Sequence, residues 1–437
     1  MRNQTIQICN QSKFYKFIVC VLCFVVPATS NAITLEEAIE LALKVDPTVR
    51  ASKLTQMASE ENIAIARSRF LPQVVLQGSS SQLTQTTSQD LATGGSTSRS
   101  FTGPAVNHQL SIRQALIRPK ETSAIRYAKL QTQYVELKFK SDVNELKSRV
   151  VNAWIDLLGA QQVAHAFERP LPFLEDAANQ ERSKYKQGDG TRDALLEADA
   201  QYLNAKAIYI QAVETFKAKQ GAFEKLTTIP AISLVNQKLD LIPKSVGFNE
   251  EKSVVWERVR DTSLELQMAQ LQELMQLERV KNAEADHKPT LDLMVAVNSA
   301  QNDATSTQGF QYKNKQIGVQ YFLPLYAGGS SSAAVRQAIF ASESSKLEFD
   351  AINSKFQIDF DNNWSQLVGL KYRQYANYDS LMSIETQLKA TNRQFELGVK
   401  TLSDLSVIEV AYAKRLNDLI MSSQDLQKLY FKLRFKI

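Results

Sequence analysis

The chain has 437 residues, 44% hydrophobic and 22% charged, both ordinary for a folded protein, and it holds only 15 glycines and 11 prolines. So few breakers favour long helices over a loop-rich fold. Basic and acidic residues nearly balance, 51 against 46, which excludes a basic surface for nucleic acid.

Residues 1–32 read as a secretory signal. Arg2, Lys13 and Lys16 precede the apolar run Phe17 to Val26, and Ser30-Asn31-Ala32 places small residues where a signal peptidase reads. The run is shorter than the roughly 20 residues a bilayer-spanning helix needs. All three cysteines, Cys9, Cys20 and Cys23, lie inside it, so the remaining chain can form neither a disulfide nor a thiolate metal site. Removing the signal leaves 48 basic against 46 acidic residues. No later apolar run is long enough for a transmembrane helix. An exported chain of this kind is soluble in the periplasm, secreted, or inserted in the outer membrane through strands.

The first helix opens with the capping box Thr34-Leu35-Glu36-Glu37 and is expected to run to about Arg69. Pro72 ends it. A first pair of strands follows around a Ser/Thr/Gln/Gly-rich loop read as Gly78 to Gly103, with Leu110, Ile112 and Leu116 alternating with wetter residues. A very long helix is expected from Lys120 to Gln187, interrupted at Pro170 and Pro172, where proline removes donors. A tight turn at Gly188 leads to a returning helix. Ile229 to Asn249, with Pro230 and Pro243, reads as a linker.

The second half repeats the plan. A helix ends at Pro289. Leu291, Leu293, Val295 and Val297 alternate along one strand, and Ile317, Val319, Tyr321 and Leu323 along the next, across a loop read as Asn298 to Gln308. A second long helix is expected from Ser331 to Leu397, with a turn at Gly398 and a closing helix. The segment Tyr185 to Thr191 matches Phe395 to Thr401, and seven-residue stripes follow each in one register: Leu195, Tyr202, Tyr209, Phe216, Phe223, and Leu405, Tyr412, Leu419, Leu426, Leu433. Such stripes mark left-handed coiled-coil packing. The organisation is therefore residues 1–32 signal, 33–228 first repeat, 229–249 linker and 250–437 second repeat. The fold class is mainly α with membrane β: duplicated long helical hairpins plus four strands per chain.

Four strands leave two raw edges, which lipid does not tolerate. Three chains would supply twelve, enough for an open barrel. The expected lipid-facing side chains are Leu110, Ile112, Leu291, Leu293, Val295, Val297, Ile317 and Val319. His108, His165 and His287 share no metal-ligand spacing, and neither a nucleophile elbow nor a phosphate loop is present. The sequence points to no enzyme, no metal and no cofactor. The competing reading is a periplasmic coiled-coil structural or adaptor protein without a pore.

Several segments resemble the TolC family of outer-membrane channels: Thr34 to Leu43 followed by Asp46-Pro47, Phe70-Leu71-Pro72, Phe322-Leu323-Pro324-Leu325-Tyr326-Ala327-Gly328-Gly329, and the Phe395 to Leu405 turn. The resemblance covers nearly the whole chain from Ile33. It implies a homotrimer with a twelve-stranded barrel in the outer membrane of a Gram-negative bacterium above a periplasmic helical tunnel. It also implies docking to a periplasmic adaptor and an inner-membrane pump of ABC or RND type. The docking tips would be Gly188, Thr191, Gly398 and Thr401. A periplasmic gate would involve Asp404, Lys400, Phe395 and Asp193, with a Lys400–Asp193 ion pair. Val407 replaces a second ring acid, and Thr401-Leu402-Ser403-Asp404 is also spaced like a helix cap. Arg113-Gln114-Ala115-Leu116-Ile117-Arg118-Pro119 is closer to the type I protein-secretion branch than to the drug-efflux branch.

Overall fold

The computed structural model describes residues 34–90, 92, 94–230, 238–241, 251–302 and 310–435. The expected signal, most of the expected linker and the turn between the last two strands lie outside these residues. The first repeat runs α1 (Leu35–Val45), α2 (Pro47–Ser68), β1 (Gln73–Asp90), β2 (Ser96–Ile117), α3 (Pro119–Glu168), α4 (Leu171–Gln187) and α5 (Arg192–Thr227). The second runs α6 (Lys252–Thr262), α7 (Leu264–Glu284), β3 (Thr290–Asn302), β4 (Phe310–Phe322), α8 (Ser330–Glu396) and α9 (Leu402–Arg434).

The capping box at Thr34 forms as expected, with Glu37 returning its carboxylate to the Thr34 amide. The single first helix expected to Arg69 is instead two. Asp46 ends α1 and caps α2, accepting from the Thr48 and Val49 amides, and Pro47 takes the first helical position, where its missing N–H costs nothing. The long helix of the first repeat breaks between α3 and α4 at Arg169-Pro170, as the proline pair predicts. Its counterpart α8 is unbroken over 67 residues, about 100 Å at 1.5 Å per residue.

The strands form one antiparallel sheet in the order β1-β2-β3-β4, so β1 and β4 are its edges. The residues expected to face lipid fall in shared rows: Leu76–Leu110–Val297, Val74–Ile112–Val295–Ile317 and Leu293–Val319. Because directly opposed residues share a face, one side of the sheet carries an apolar band, interrupted by Lys315 opposite Val297 and by Gln114 opposite Leu293. A register shift between Ala115 and Ile117 changes one expectation: Ile117, not Leu116, pairs with Leu291 and joins the band. The opposite face carries Gln77, Gln109, Asn298 and Asn314.

The segment Gly78 to Gly103 is not a loop. β1 and β2 stay paired to Asp90 and Ser96, giving strands of 18 and 22 residues where about 9 to 13 were expected. Hydroxyl pairs Thr84–Thr102 and Thr86–Ser100 bridge the two strands at 2.8 and 3.1 Å. Among the described residues β3 pairs with β2 as far as Ala105, opposite Asn302.

Two apolar clusters sit where the helices cross below the sheet. One gathers Leu146, Val150, Trp154, Leu157, Phe223 and Ile420, with the Trp154 and Phe223 rings edge to face at 5.9 Å. The other gathers Val255, Val259, Phe356, Phe360, Leu426 and Leu433. The seven-residue stripes differ in depth. Leu405, Leu419, Leu426 and Leu433 of α9 are buried, whereas of the α5 stripe only Phe223 is.

Candidate functional site: helical tips and the junctions between hairpins

Each hairpin turns at a left-handed glycine. Gly188 has φ +88° and Gly398 φ +73°, values that a side chain resists, and each donates back into the last turn of its helix, to Tyr185 and Phe395 respectively. Thr191 and Thr401 then start the returning helices, their hydroxyls accepting from the amides of Ala194 at 3.3 Å and Asp404 at 3.1 Å. The expected tip residues are thus the reversal machinery of both hairpins. The chemistry of the tips differs. The first is polar at Asp189, whereas the second exposes Leu397 and Val399.

Asp404 is solvent-exposed and closes a capping box, its carboxylate accepting from the Thr401 amide at 3.0 Å and hydroxyl at 2.9 Å. These bonds, helped by Lys400, hold its carboxyl below the usual aspartate range. Lys400 Nζ lies 3.7 Å from Asp404 within the same turn. Within one chain Lys400 therefore faces Asp404. Asp193 stands exposed in the first turn of α5, and among the described residues no Lys400–Asp193 pair forms. Phe395 is half-buried at the foot of α8. A cleft of about 230 Å³ separates Thr401 and Ser403 from Glu181 and Lys184 of α4 and Glu197 of α5. The second tip therefore sits beside the shaft of the first hairpin, short of its end.

Three ionic junctions escape the sequence reading because their members are far apart in the chain. At the root of the sheet, Asp292 is clamped by Arg113 and Arg118, its oxygens 2.5 to 3.0 Å from the two guanidinium groups. Between hairpins, Asp156 of α3 takes Lys219 of α5 at 2.8 Å and also Lys428 of α9. Burial alone would raise the Asp156 carboxyl, but these two hydrogen-bonding lysines outweigh it and hold it below the usual range. Further down, Arg169 at the end of α3 meets Glu409 of α9 at 3.0 Å. Burial pushes the Glu409 carboxyl up, and Arg169 only partly offsets this. Arg113 and Arg118 fall in the segment singled out for its resemblance to the type I secretion branch, but nothing in the sequence joined them to Asp292. Among the described residues there is no His/Cys/Asp/Glu cluster able to hold a metal and no helix apolar enough to cross a membrane.

A duplicated tower of helices under a four-stranded sheet with open edges is the protomer of an outer-membrane export channel. The chain belongs to the outer membrane efflux protein family, whose model matches residues 38–227 and 255–435. It is an outer-membrane channel for efflux or type I secretion, with its helical domain in the periplasm. It is 27% identical over 420 residues to the alkaline protease secretion protein AprF of Pseudomonas aeruginosa, covering 92% of this chain and 84% of that one. It is 25% identical over 327 residues to the proteases secretion protein PrtF of Dickeya chrysanthemi, covering 74% and 70%. The solved CmeC outer membrane channel of Campylobacter jejuni shares the fold with a TM-score of 0.74 at 14% identity, covering 92% and 85%.

Proposed function

We propose that three copies of this chain form the outer-membrane duct of a type I protein-secretion system. The observation that carries the reading is the sheet: four strands with an apolar band on one face, a polar opposite face and unpaired backbone along β1 and β4. Lipid makes such edges prohibitive, and joining β4 of one copy to β1 of the next removes them all. Twelve strands then enclose a lumen lined by the polar face, and the helices continue it as a tunnel. The similarity to two protease-secretion proteins, together with the Arg113 to Pro119 segment, supports a protein substrate over small toxic molecules.

In this reading the tips around Gly188, Thr191, Gly398 and Thr401 meet a periplasmic adaptor, which joins the duct to an inner-membrane pump of ABC type. An RND pump would belong to the drug-efflux alternative. Lys400, Asp404, Phe395 and Asp193 form the gate, with Lys400 able to exchange its partner in the same chain for Asp193 across a hairpin boundary. Deleting the gene tests the substrate class. Loss of a secreted protein with unchanged drug sensitivity is expected, and drug sensitivity with normal secretion would overturn it. Light scattering of the purified protein in detergent should give a trimer, and a monomer would overturn the duct itself. Photocrosslinkers at Thr191 and Thr401 should capture a periplasmic protein in cells.

A further inference from the structure

Where sheet meets helices, the cations outnumber the acids that neutralise them. Arg126 of α3 and Lys281 of α7 share one carboxylate, that of the buried Glu278, at 2.8 and 2.7 Å. Two cations on one anion leave a positive charge over, and both are half-exposed. Lys288, in the link from α7 to β3, is exposed, and among the described residues no acid pairs with it. Arg118 lies close by, but Asp292 already takes its donors.

Arg126, Lys281 and Lys288 border one cleft of about 400 Å³ at the seam between β2 and α3. Phe70, Leu116 and Ile117 also line it, and among the described residues no acid does. Ile117 pairs with Leu291, and Leu291 with Tyr321, so the lowest row of the apolar band adjoins the cleft. Tyr321 is exposed, and tyrosine is a side chain that bilayers hold at headgroup level. With the helices in the periplasm, that level belongs to the periplasmic leaflet. The helices pack in the order α2, α3, α7, α8. The cleft therefore lies over the middle of a protomer, away from the edges at which copies would join.

We propose that this cleft binds an anionic phospholipid of the periplasmic leaflet, one per protomer. Lys281, Lys288 and Arg126 hold its phosphate through charge-assisted hydrogen bonds. Phe70, Leu116 and Ile117 seat the start of its acyl chains. A free phosphate would satisfy the cations and leave these three apolar side chains in water. A phospholipid satisfies both, in the manner of basic pockets that take lipid headgroups at a membrane face. Bound there, it neutralises the surplus charge where barrel passes into tunnel and fixes the depth at which the channel sits. The leaflet assignment rests on the duct reading, whereas the affinity for the lipid is a property of one protomer.

Native mass spectrometry of the full protein in detergent reads lipid retention and copy number in one spectrum. Delipidated protein should retain added phosphatidylglycerol in preference to phosphatidylcholine with the same chains. Removing one cation should weaken retention about fivefold, and Lys281→Gln with Lys288→Gln about thirtyfold. Lys288 has no partner to lose, so Lys288→Gln alone tests the site in a folded protein, and Lys288→Arg should retain the lipid. Excess inorganic phosphate should leave it in place. Equal retention of the two lipids, or a double variant that binds like the parent, overturns the site. Displacement by inorganic phosphate overturns the lipid assignment. A monomer that still prefers phosphatidylglycerol upholds the site and overturns the duct reading.

Discussion

Asp292 on β3 sits under Arg113 of β2, carboxylate to guanidinium at 2.5 Å, with Arg118 closing from the other side at 2.6 Å. Two strands and the start of α3 thus converge on one buried carboxylate where sheet meets helix. Arg118 has no side-chain cap to offer α3, and Asp292 instead fixes its direction. Asp292→Asn leaves two cations sharing a neutral partner. Breaking a buried pair costs about 3–5 kcal/mol, and because Arg113 is half-exposed the loss here should be about 2–3 kcal/mol. Thermal unfolding of the purified protein should show a lower midpoint for Asp292→Asn, and an unchanged one would make the cluster incidental.

The apolar band gives a prediction for the membrane. Leu293 lies mid-row between Gln114 and Val319. A lysine facing lipid near the bilayer centre costs about 2–4 kcal/mol. Leu293→Lys should reduce assembled channel in outer-membrane fractions, whereas Asn298→Lys on the opposite face should assemble normally. Equal assembly of both would reverse or abolish the assigned lipid face.

At the tip, capping and gating can be separated. Thr401→Ala removes the hydroxyl cap of α9 and should cost about 1 kcal/mol of helix stability without changing ion selectivity. Lys400→Ala should raise single-channel conductance, and Asp404→Asn should reduce cation preference. If both conduct like the parent with the same selectivity, Asp404 is a cap and no more.

Asp156 predicts a pH dependence. Its carboxyl is held low by Lys219 and Lys428, so the stabilisation is complete above the ordinary aspartate value near pH 4 and is lost progressively as pH falls below it. Midpoints of unfolding for the parent and Asp156→Asn should differ most at neutral pH and converge under acid. A gap that stays constant down to pH 3 would show that the carboxylate's charge is not what matters.

The repeat, the hairpins and the proline break were legible because helical packing leaves periodic marks in a single sequence. The second-repeat strands were legible because Leu291, Leu293, Val295 and Val297 alternate cleanly. The extension of β1 and β2 was not. Where a hairpin stands in water on both faces no apolar period is required, and Ser, Thr and Gln read as loop although Thr84 and Thr102 pair in register. The register shift that puts Ile117 in place of Leu116 is equally silent in the sequence, since it depends on where β3 begins. The ionic junctions were hidden by distance: Arg169 and Glu409 lie 240 positions apart, and Arg113 and Asp292 lie 179 apart.

Among the described residues, the hairpin of β1 and β2 continues past its pairing with β3 by the rungs from Gln82–Pro104 to Asp90–Ser96, about 30 Å at roughly 3.3 Å per residue. Its turn carries Gly94 and Gly95, both at positive φ. In an assembled duct three such ribbons would rise from the rim as separate posts rather than a closed collar. They would be the first part of the channel met by anything approaching from outside the cell, and an epitope inserted between Gly94 and Gly95 would be displayed clear of the barrel wall without disturbing a single row of the sheet below Ala105.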